Sequence, residues 1–415
     1  MHQSEFQILA GIDLGRWLHV ASVIDATYGS FLGEMGFPHS REGLTEVVEW
    51  LKGLVQNKAH HIGVAIEKPH GAVVDTLLGC GMAVFSINPK QVDRFRDRHS
   101  VSGAKDDRRD AFVLADALRT DVHRFQRLKL PPPELIAMRE LLSSRNQLIK
   151  QHIALSSQIR ELLVRCWPHL LRLAPTNRPL DAFFCELIEL FLQQHDDALP
   201  PHTVRDIIRK HRIRRVKLED VLATLQKAPL YVADGTLPAI SAHLKLLVRQ
   251  LLLVRHQRRE LDQHLERWFE QIRLPTSPFC DAAILASLPG VGAVVLATLL
   301  SHAHDAIRLR NLDAFRSLGG VAPVTKQSGK RRQVIMRRAR SLPLNDALHH
   351  WAAIAVQRDP HFKLHYHRLR KKGHHHARAL RGVMDRILLV AVAMLRHRSF
   401  YDPARRINSP RQGNT

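Results

Sequence analysis

The sequence predicts an α/β domain followed by an all-α remainder within one chain of 415 residues. Short β-branched and apolar runs alternate with helical patterns up to about residue 130, which is typical of an α/β sheet domain. Three prolines at 131–133 then interrupt the chain, and long amphipathic helical patterns follow them. Because a chain of this length exceeds one ordinary hydrophobic core, several domains are expected.

The first domain begins with two predicted strands. Residues 6–25 have the sequence FQILAGIDLG and then RWLHVASVID, with apolar residues at a period close to two and glycine at the turn. Buried runs and amphipathic stretches continue to alternate after residue 25. The elements predicted there are a helix at 41–56, a strand at 61–69, a helix to about Leu78, a strand at 82–89 and a helix at 105–120.

The middle and the end of the chain are predicted to be mostly helical. Residues 134–166 and 238–273 form long amphipathic patterns, and the second carries charge on both flanks of its apolar stripe. Such a pattern favours a coiled coil or an antiparallel helix pair. PTSP at 275–278 marks a second hinge. The predicted domains are a sheet domain at 1–130, a helical linker and oligomerisation region at 131–275, a C-terminal domain at 276–400 and a disordered tail at 401–415.

The charge of the chain indicates a polyanionic partner. Lysine and arginine number 62 against 39 acidic residues, which gives a net charge of +23. Such a surplus suits nucleic acid, since each phosphate that a basic side chain neutralises releases counterions. The longest apolar run, at 284–300, is broken by proline and glycine, so no membrane span is expected. The four cysteines form no C-x-x-C pair, which argues against a zinc ribbon and favours a reducing cytoplasm.

Four carboxylates occupy positions that a sheet domain can bring together. Asp13 and Glu67 each end a predicted strand, whereas Asp107 and Asp110 share one face at the start of a helix. Ligands of open α/β sheets bind beyond the carboxyl ends of the strands. Because four neighbouring acids repel one another unless a divalent cation neutralises them, the pattern favours Mg²⁺ or Mn²⁺ and phosphodiester cleavage.

Each of these carboxylates also has a purely structural interpretation. An aspartate before a glycine at a strand end commonly serves a turn, and Asp-x-x-Asp in a first helical turn complements the helix dipole. Asp106 adds an ambiguity, because it could replace Asp107 in the same spacing. It is the occurrence of all four acids in elements able to converge that favours a metal site.

Two features of the C-terminal region indicate contact with DNA. In LPGVG, Gly290 and Gly292 open an apolar helix and resemble the turn of a helix-hairpin-helix, whose backbone N–H groups bind a phosphate. A tight turn between packed helices explains them equally well. Ser328 lies in a predicted glycine-flanked loop. The segment from Lys326 to Arg340 contains seven basic residues and no acidic residue. A serine among cations can attack phosphorus, and it can equally be a phosphate contact or a plain turn residue.

The order of these motifs resembles the DEDD transposases of bacterial insertion sequences, a group of bridge-RNA-guided recombinases. The matching pieces are GID near the N-terminus, the strand ending in EKP, K-x-D-x-x-D-A at 105–111, LPGVG, and the GVAP…SG segment. Together they cover almost the whole chain, and their order and spacing are specific although each piece alone is weak. Two positions depart from the family pattern. Asp106 stands where threonine or serine is common, and Gln327 stands where a second serine often precedes the nucleophile.

The resemblance implies a RuvC-like, RNase H-type N-terminal domain, a coiled-coil middle and a C-terminal transposase domain. It implies transposition by phosphodiester transesterification, with double-stranded DNA of the element ends and target as substrate, a structured guide RNA, and a homo-oligomer, dimer or tetramer, in which the acids of one subunit complete the serine site of another. By motif, the implied metal ligands and catalytic acids are Asp13, Glu67, Asp107 and Asp110, and the implied nucleophile is Ser328. The expected nucleic-acid contacts are Gly290, Gly292, Lys326, Lys330, Arg331 and Arg332.

Three other functions fit parts of the sequence. A RuvC-like nuclease or resolvase would need the four carboxylates and a metal but no serine. An actin-like ATPase or sugar kinase also opens with a strand ending in D-x-G, and Asp234-Gly235-Thr236 loosely resembles its second phosphate loop. A non-catalytic nucleic-acid scaffold would explain the basic charge and the glycine turn, but it would give the four carboxylates no function.

Overall fold

The computed structural model describes residues 5–99, 106–193, 200–273, 280–329 and 331–404. The chain forms two compact units, Met1–Pro132 and Pro133–Thr415. The break falls within the three prolines at 131–133, where missing N–H groups and a fixed φ favour a change of direction.

The first unit is a six-stranded sheet with helices on both faces. Its strands are β1 (Ile8–Leu14), β2 (Leu18–Asp25), β3 (Phe31–Pro38), β4 (Ile62–Ile66), β5 (Ala83–Ser86) and β6 (Gln126–Arg127). Its α-helices are α1 (Arg41–Gly53), α2 (Ala72–Gly79), α3 (Pro89–His99) and α4 (Asp107–Asp121), with short 3-10 turns at Ala59–His61 and Val122–Arg124.

The strand order of this sheet is β3-β2-β1-β4-β5-β6. Strand β2 runs antiparallel to β1 and β3, whereas β1, β4 and β5 are parallel and β6 pairs antiparallel with β5. This arrangement, with β2 alone reversed among the first five strands, is that of an RNase H-type fold. The predicted class of the N-terminal domain is confirmed.

Separate apolar clusters cover the two faces of the sheet. Residues of α1 and α2 pack on one face, with Ile12 of β1 and Val64 of β4. Residues of α3 and α4 pack on the other face, with Leu9 of β1 and Ala65 of β4. Because side chains alternate along a strand, the residues in these two clusters show on which face of the sheet the other residues of β1 and β4 lie.

The sequence pattern predicts most of this unit but not β3, α3 and β6. Strand β3 has two glycines and a mostly exposed burial pattern, so its sequence carries little strand signal. Helix α3 is strongly polar, and β6 has two residues. Strand β3 is defined by its pairing with β2, and β6 by its pairing with β5. Because these pairings form only in the folded sheet, the local sequence pattern does not predict either strand.

The second unit is helical apart from one hairpin. Its α-helices are α5 (Pro133–Cys166), α6 (Ala182–Gln193), α7 (Pro201–Lys210), α8 (Leu218–Leu225), α9 (Thr236–Arg273), α10 (Asp281–Ala286), α11 (Ala293–His302), α12 (His304–Arg308), α13 (Leu312–Leu318), α14 (Leu342–Arg358), α15 (Pro360–Lys371) and α16 (His376–His397), with a 3-10 helix at Pro168–Arg172. The hairpin consists of β7 (Val324–Ser328) and β8 (Arg331–Ile335).

Helices α5 and α9 form the predicted antiparallel pair. Their contact includes an ion pair in which Arg145 Nε lies 2.5 Å from Asp262 Oδ1. The beginning of α5 and the end of α9 share one core with α10, α11, α14 and α16, in which Trp351 is buried. The end of α5 and the beginning of α9 share another core with α6, α7 and α8. The motif Asp234-Gly235-Thr236 leads into α9 and belongs to no sheet, which removes the basis for a second phosphate loop.

Helix α9 also bears on the expectation that the protein has no membrane span. Among the described residues, the segment Thr236–Gln271 is the one helix long and apolar enough to cross a membrane. Part of its apolar surface is covered within the protein, because Leu244, Val248 and Leu251 are buried in the core with α6 to α8. A soluble core helix passes the same test of length and composition, so this one segment is weak evidence for a membrane.

The beginning of the predicted disordered tail is fixed to the second unit. Tyr401 donates its hydroxyl to Asp359 Oδ2 at 2.7 Å and its backbone N–H to Ser287 Oγ at 2.9 Å. The prediction of disorder is therefore wrong for residues 401–404, because one aromatic side chain reaches a buried partner that its neighbours in sequence do not reveal. Residues 405–415 lie outside the described residues.

Candidate active site

The sheet register brings Asp13 and Glu67 to the same level of neighbouring strands. Strands β1 and β4 are parallel, and their last paired residues are Ile12 and Ile66. Asp13 and Glu67 each follow the last residue paired between these two strands, and both are partly buried. Because paired strands lie about 4.8 Å apart, the register places these two carboxylates side by side at the carboxyl edge of the sheet.

Alternation along the strands also places both carboxylates on the face that α4 covers. Leu9 and Ala65 pack in the cluster that contains the buried residues of α4. Asp13 lies four residues after Leu9, and Glu67 lies two residues after Ala65. Because side chains alternate along a strand, Asp13 lies on the same face of the sheet as Leu9, and Glu67 on the same face as Ala65. The backbone therefore places the ends of both strands on the side of the sheet where α4 packs.

Gly11 allows α4 to approach β1 closely beside Asp13. A Cβ atom on Gly11 would lie 1.9 Å from the Ala111 carbonyl oxygen and 2.6 Å from the Ala115 nitrogen. Any side chain larger than hydrogen would therefore displace α4 from the strand. In the sequence, a glycine two residues before the candidate acid, inside a buried strand, is a signal of close backbone approach that the motif GID alone does not convey.

The start of α4 assigns different roles to its three aspartates. Asp106 is the N-cap residue, and its carboxylate accepts a hydrogen bond from the Arg108 backbone N–H at 3.2 Å. Asp107 is exposed at the first helical position, whereas Asp110 is buried, with 4% of its surface accessible. The cap gives the Asp106 carboxylate a structural function, so its presence beside Asp107 no longer needs a catalytic explanation.

Arg96 of α3 is a member of this site that sequence analysis missed. Its Nε donates to Asp110 Oδ1 at 2.8 Å, and its Nη1 donates to Asp93 Oδ1 at 3.0 Å. Burial lowers the pKa of Arg96, but the hydrogen bond and charge of Asp110, together with the charges of Asp93 and Glu67, raise that pKa on balance. The guanidinium therefore lies in the field of two of the four predicted acids. The spacing of Val92 and Phe95 on α3 is the sequence signal that could have revealed this helix.

The donor chemistry of this site fits a hard divalent cation. Carboxylate oxygens are the ligands that Mg²⁺ and Mn²⁺ prefer, and Arg96 already places a positive charge against Asp110. Among the described residues, no group of three or more His, Cys, Asp or Glu side chains is close enough to hold a metal ion. The register brings Asp13 and Glu67 together and α4 brings Asp110 to their face, while Asp107 stays exposed.

Ser328 lies at the tip of the hairpin in the second unit. The sequence predicted a flexible loop, but β7 and β8 pair from Val324 with Ile335 to Ser328 with Arg331. Gly329 follows with a φ of +54°, a left-handed conformation that suits glycine in a two-residue hairpin turn. The part of the predicted loop that contains Ser328 is therefore a strand.

The basic residues predicted to bind nucleic acid follow the same hairpin. Arg331 and Arg332 are exposed on β8, and Arg338 is exposed just beyond it. Lys330 and the side chains of Lys326 and Ser328 lie outside the described residues. The backbone thus places the candidate nucleophile next to a strand that carries exposed guanidinium groups.

The glycine turn at 290–292 connects α10 to α11 as predicted. Gly290 has a φ of +86°, and a Cβ there would lie 3.2 Å from the Ala355 nitrogen of α14. The Pro289 carbonyl oxygen accepts a hydrogen bond from Trp351 Nε1 at 3.0 Å. Gly290 is therefore explained by packing against α14, whereas Gly292 precedes α11 and a Cβ on it would meet no atom within 4 Å.

Two family models match the chain. A model of IS110-type DEDD transposases, described as "Transposase", matches residues 10–168. A second model, described as "Transposase IS116/IS110/IS902 family", matches residues 282–367. The first match contains the four predicted acids, and the second contains the glycine turn and Ser328.

Curated relatives extend the similarity. The chain is 40% identical over 213 residues to "Putative transposase y4uE" of Sinorhizobium fredii, a match that spans 50% of this chain and 57% of that protein. It is 28% identical over 430 residues to "Mini-circle putative transposase for IS117" of Streptomyces coelicolor, and that match covers 98% of each chain. Among solved structures, "T. thermophilus RuvC in complex with Holliday junction substrate" matches 29% of this chain and 99% of that one, at 14% identity and a TM-score of 0.23.

Proposed function

Because the chain belongs to the family of DEDD-type insertion-sequence transposases, we propose that it cleaves and rejoins DNA strands with its acidic tetrad and a serine nucleophile. The observation that carries the proposal is the placement of Asp13 and Glu67 at one level of adjacent parallel strands, on the face covered by α4. Asp110, which is buried, begins the stretch of α4 that packs against β1, so a third acid belongs to the same side of the sheet.

The carboxylates of the first unit would hold the metal ions. Asp13, Glu67 and Asp110 supply oxygen donors from the sheet edge and α4, and Asp107 completes the set when its exposed side chain turns towards that edge. When bound, Mg²⁺ or Mn²⁺ would neutralise these acids and stabilise charge on the reacting phosphate. Asp107 rather than Asp106 is proposed as the fourth ligand, because Asp106 caps α4.

Ser328 is proposed as the nucleophile of strand exchange. Its hydroxyl oxygen forms a bond to phosphorus, the bond from phosphorus to the leaving DNA oxygen breaks, and the serine proton passes to that oxygen. The reverse reaction with a different strand restores the serine, so the number of phosphodiester bonds is conserved without an external energy source. Arg331 and Arg332, exposed on the paired strand, are available to stabilise the negative charge of the transition state.

The partners proposed for this reaction follow from charge and family. The substrate is the double-stranded DNA of the element ends and its target, which suits a net charge of +23. We propose that a structured guide RNA selects the DNA, and that a homo-oligomer supplies acids and serine from different subunits. The four cysteines are free thiols in the structure, in keeping with a cytoplasmic protein.

A covalent-adduct assay tests this proposal. Purified protein with co-purified RNA is mixed with supercoiled DNA that carries the joined element ends, in Mg²⁺, and products are separated on a denaturing gel. We expect a DNA-linked protein band in the wild type and its loss in Ser328→Ala, in Asp110→Asn and on addition of EDTA. Thr325→Ala, on the same exposed hairpin strand, is the matched control and should keep the band.

Two results would replace the proposal with others. Cleavage that survives Ser328→Ala, requires the acids and never yields an adduct would identify a metal-dependent nuclease or resolvase. DNA binding without cleavage under any condition would identify a scaffold.

A further inference from the structure

A cavity in the first unit is lined by none of the four candidate acids and has no role in the reaction described above. It has a volume of about 270 Å³ and lies between α3 and the segment that follows α4. Gln91, Arg94, Phe95 and Arg98 line it from α3, and their spacing of three, four and seven residues places them on one helical face. Arg96, which contacts the acids, is not among the lining residues.

Two guanidinium groups at the cavity are available to an anion. Arg94 and Arg98 are exposed and lie one helical turn apart, and within the described part of the chain neither is paired with a carboxylate. Arg124 differs, because its Nε lies 3.0 Å from Asp121 Oδ1 on the opposite wall. Two adjacent unpaired arginines repel each other, so their placement favours a ligand that carries negative charge.

An aromatic surface lies between these arginines. Phe95 is partly exposed at the cavity, and its ring meets that of Phe125 edge to face, with centroids 6.2 Å apart and planes at 63°. Phe125 is buried, so it supports Phe95 from the side of the core. An exposed phenyl ring beside arginines is the combination by which proteins bind nucleotides, through stacking on the base and ion pairs with the phosphate.

We propose that this cavity binds a nucleotide of a single-stranded nucleic-acid segment. Arg94 and Arg98 bind the phosphate, Phe95 stacks on the base, and Gln91 offers an amide to the base edge. An acidic peptide would use the arginines but not the ring. DNA and RNA share the chemistry that the cavity recognises, and they are distinguished by the experiment below. The proposed site uses neither Ser328 nor the metal ligands, so it can be tested even if the proposed reaction is wrong.

Salt-dependent binding of short oligonucleotides tests the arginines. Fluorescence anisotropy of labelled eight-nucleotide strands, one DNA and one RNA of the same sequence, is measured with the full chain in EDTA, which prevents metal-dependent cleavage. We expect Arg94→Gln with Arg98→Gln to reduce the slope of log affinity against log salt by about 0.7, the contribution of the one phosphate that the two arginines bind on a single strand. The strand that shows this loss identifies the natural ligand.

A matched double variant controls for net charge. Arg41→Gln with Lys58→Gln removes the same two charges from exposed positions on the opposite face of the sheet, where α1 lies, and should leave the slope unchanged. If both double variants change the slope equally, with both strands, the cavity is not a phosphate site and the proposal is overturned.

Photocrosslinking tests the aromatic surface directly. Oligonucleotides carrying 5-iodouracil should crosslink to Phe95, as located by mass spectrometry of the digested protein, and Phe95→Leu should weaken binding at least about fivefold. Circular dichroism shows whether Phe95→Leu is folded. If this variant does not fold, the salt dependence of the arginine variants still tests the proposed site. Crosslinks confined to residues after 133, together with unchanged binding in the arginine variants, would exclude the site.

Discussion

At the scale of single residues, the pairing of Arg96 with Asp110 is the contact that compensates the buried charge of Asp110. Asp110 is buried, and a buried carboxylate without a compensating partner is costly. Arg96 supplies that partner, with its Nε 2.8 Å from Asp110 Oδ1, and the charge of Glu67 also raises the pKa of Arg96. A cation that binds the acids must therefore compete with this guanidinium for Asp110.

Replacing Arg96 tests this competition. We expect Arg96→Gln to lower the free energy of unfolding without metal by about 1–3 kcal/mol, because Asp110 loses its charged partner. The same change should raise the affinity for Mn²⁺ roughly tenfold, because the competing ion pair is gone. Chemical denaturation and electron paramagnetic resonance of free Mn²⁺ measure the two effects.

The control for this prediction is Arg41→Gln, which removes an exposed arginine from the other face of the sheet. Neither stability nor Mn²⁺ affinity should change in it. A loss of stability in Arg96→Gln with unchanged Mn²⁺ affinity would mean that Arg96 supports the fold and does not compete with the metal.

At the scale of secondary-structure elements, the close contact between α4 and β1 determines where the acids meet. Gly11 leaves room for the Ala111 carbonyl, and Asp110 is the residue immediately before it. The position of the helix start relative to Asp13 therefore depends on a missing side chain. This contact is more restrictive than ordinary helix packing, because it involves backbone atoms that cannot rotate away.

Gly11→Ala should separate these elements. We expect it to lower the free energy of unfolding by about 1–3 kcal/mol or more, because the added methyl overlaps backbone atoms of α4. Urea denaturation monitored by circular dichroism measures the loss. Gly53→Ala, where a Cβ meets nothing within 4 Å, should leave stability unchanged or raise it by up to about 1 kcal/mol. Equal effects of the two substitutions would contradict the close approach.

The β7–β8 hairpin is the second element with a functional prediction. A two-stranded ribbon fits the major groove of DNA, and this one carries exposed arginines on β8. We expect Arg331→Gln with Arg332→Gln to reduce the slope of log affinity for duplex DNA against log salt by about 1.8, roughly 0.9 for each phosphate contact. Filter binding over a salt series measures the slope. Arg205→Gln with Arg209→Gln, exposed on α7, should not change it.

At the scale of the whole molecule, the candidate acids and the candidate nucleophile belong to different compact units. Asp13, Glu67 and Asp110 lie in the unit before Pro133, and Ser328 lies in the unit after it. Each unit has its own apolar cores, so a variant in one unit should leave the fold of the other intact. We propose that the acids and the serine of one site come from different subunits of a homo-oligomer, an arrangement that their position in different units permits.

Mixing inactive variants tests that arrangement. Asp110→Asn alone and Ser328→Ala alone should form no covalent adduct, whereas a mixture of the two, assembled with DNA and RNA, should restore a substantial fraction of the wild-type adduct. Tagging each variant with a different mass shows on a gel which subunit carries the DNA, and it should be the one with Ser328. If the mixture stays inactive although the two variants co-assemble in light scattering, both parts of the site act within one subunit.

Local sequence pattern was sufficient for the elements that bury a regular apolar face. Strands β1, β2, β4 and β5 follow from short apolar runs, because helices bury both faces of this sheet, and helices α1, α4, α5 and α9 follow from an apolar period of about 3.6, because burial of one helix face imposes that period. It was insufficient for β3 and β6, which are defined by their neighbours, and for α3, whose residues are mostly polar. It also represented the hairpin at Ser328 as a loop, because β7 and β8 pair only with each other and bury little.

The sequence alone determined the α/β and helical classes of the two parts of the chain and its basic charge, and it predicted the candidate acids, since these depend on composition and on patterns among near neighbours. The tertiary structure decided which carboxylates lie at one level, because register is a relation between distant segments. It also decided that Asp106 caps a helix, that Arg96 neutralises Asp110 and that an arginine and phenylalanine cavity lies beside α3. Those properties arise from long-range packing, which no local pattern encodes.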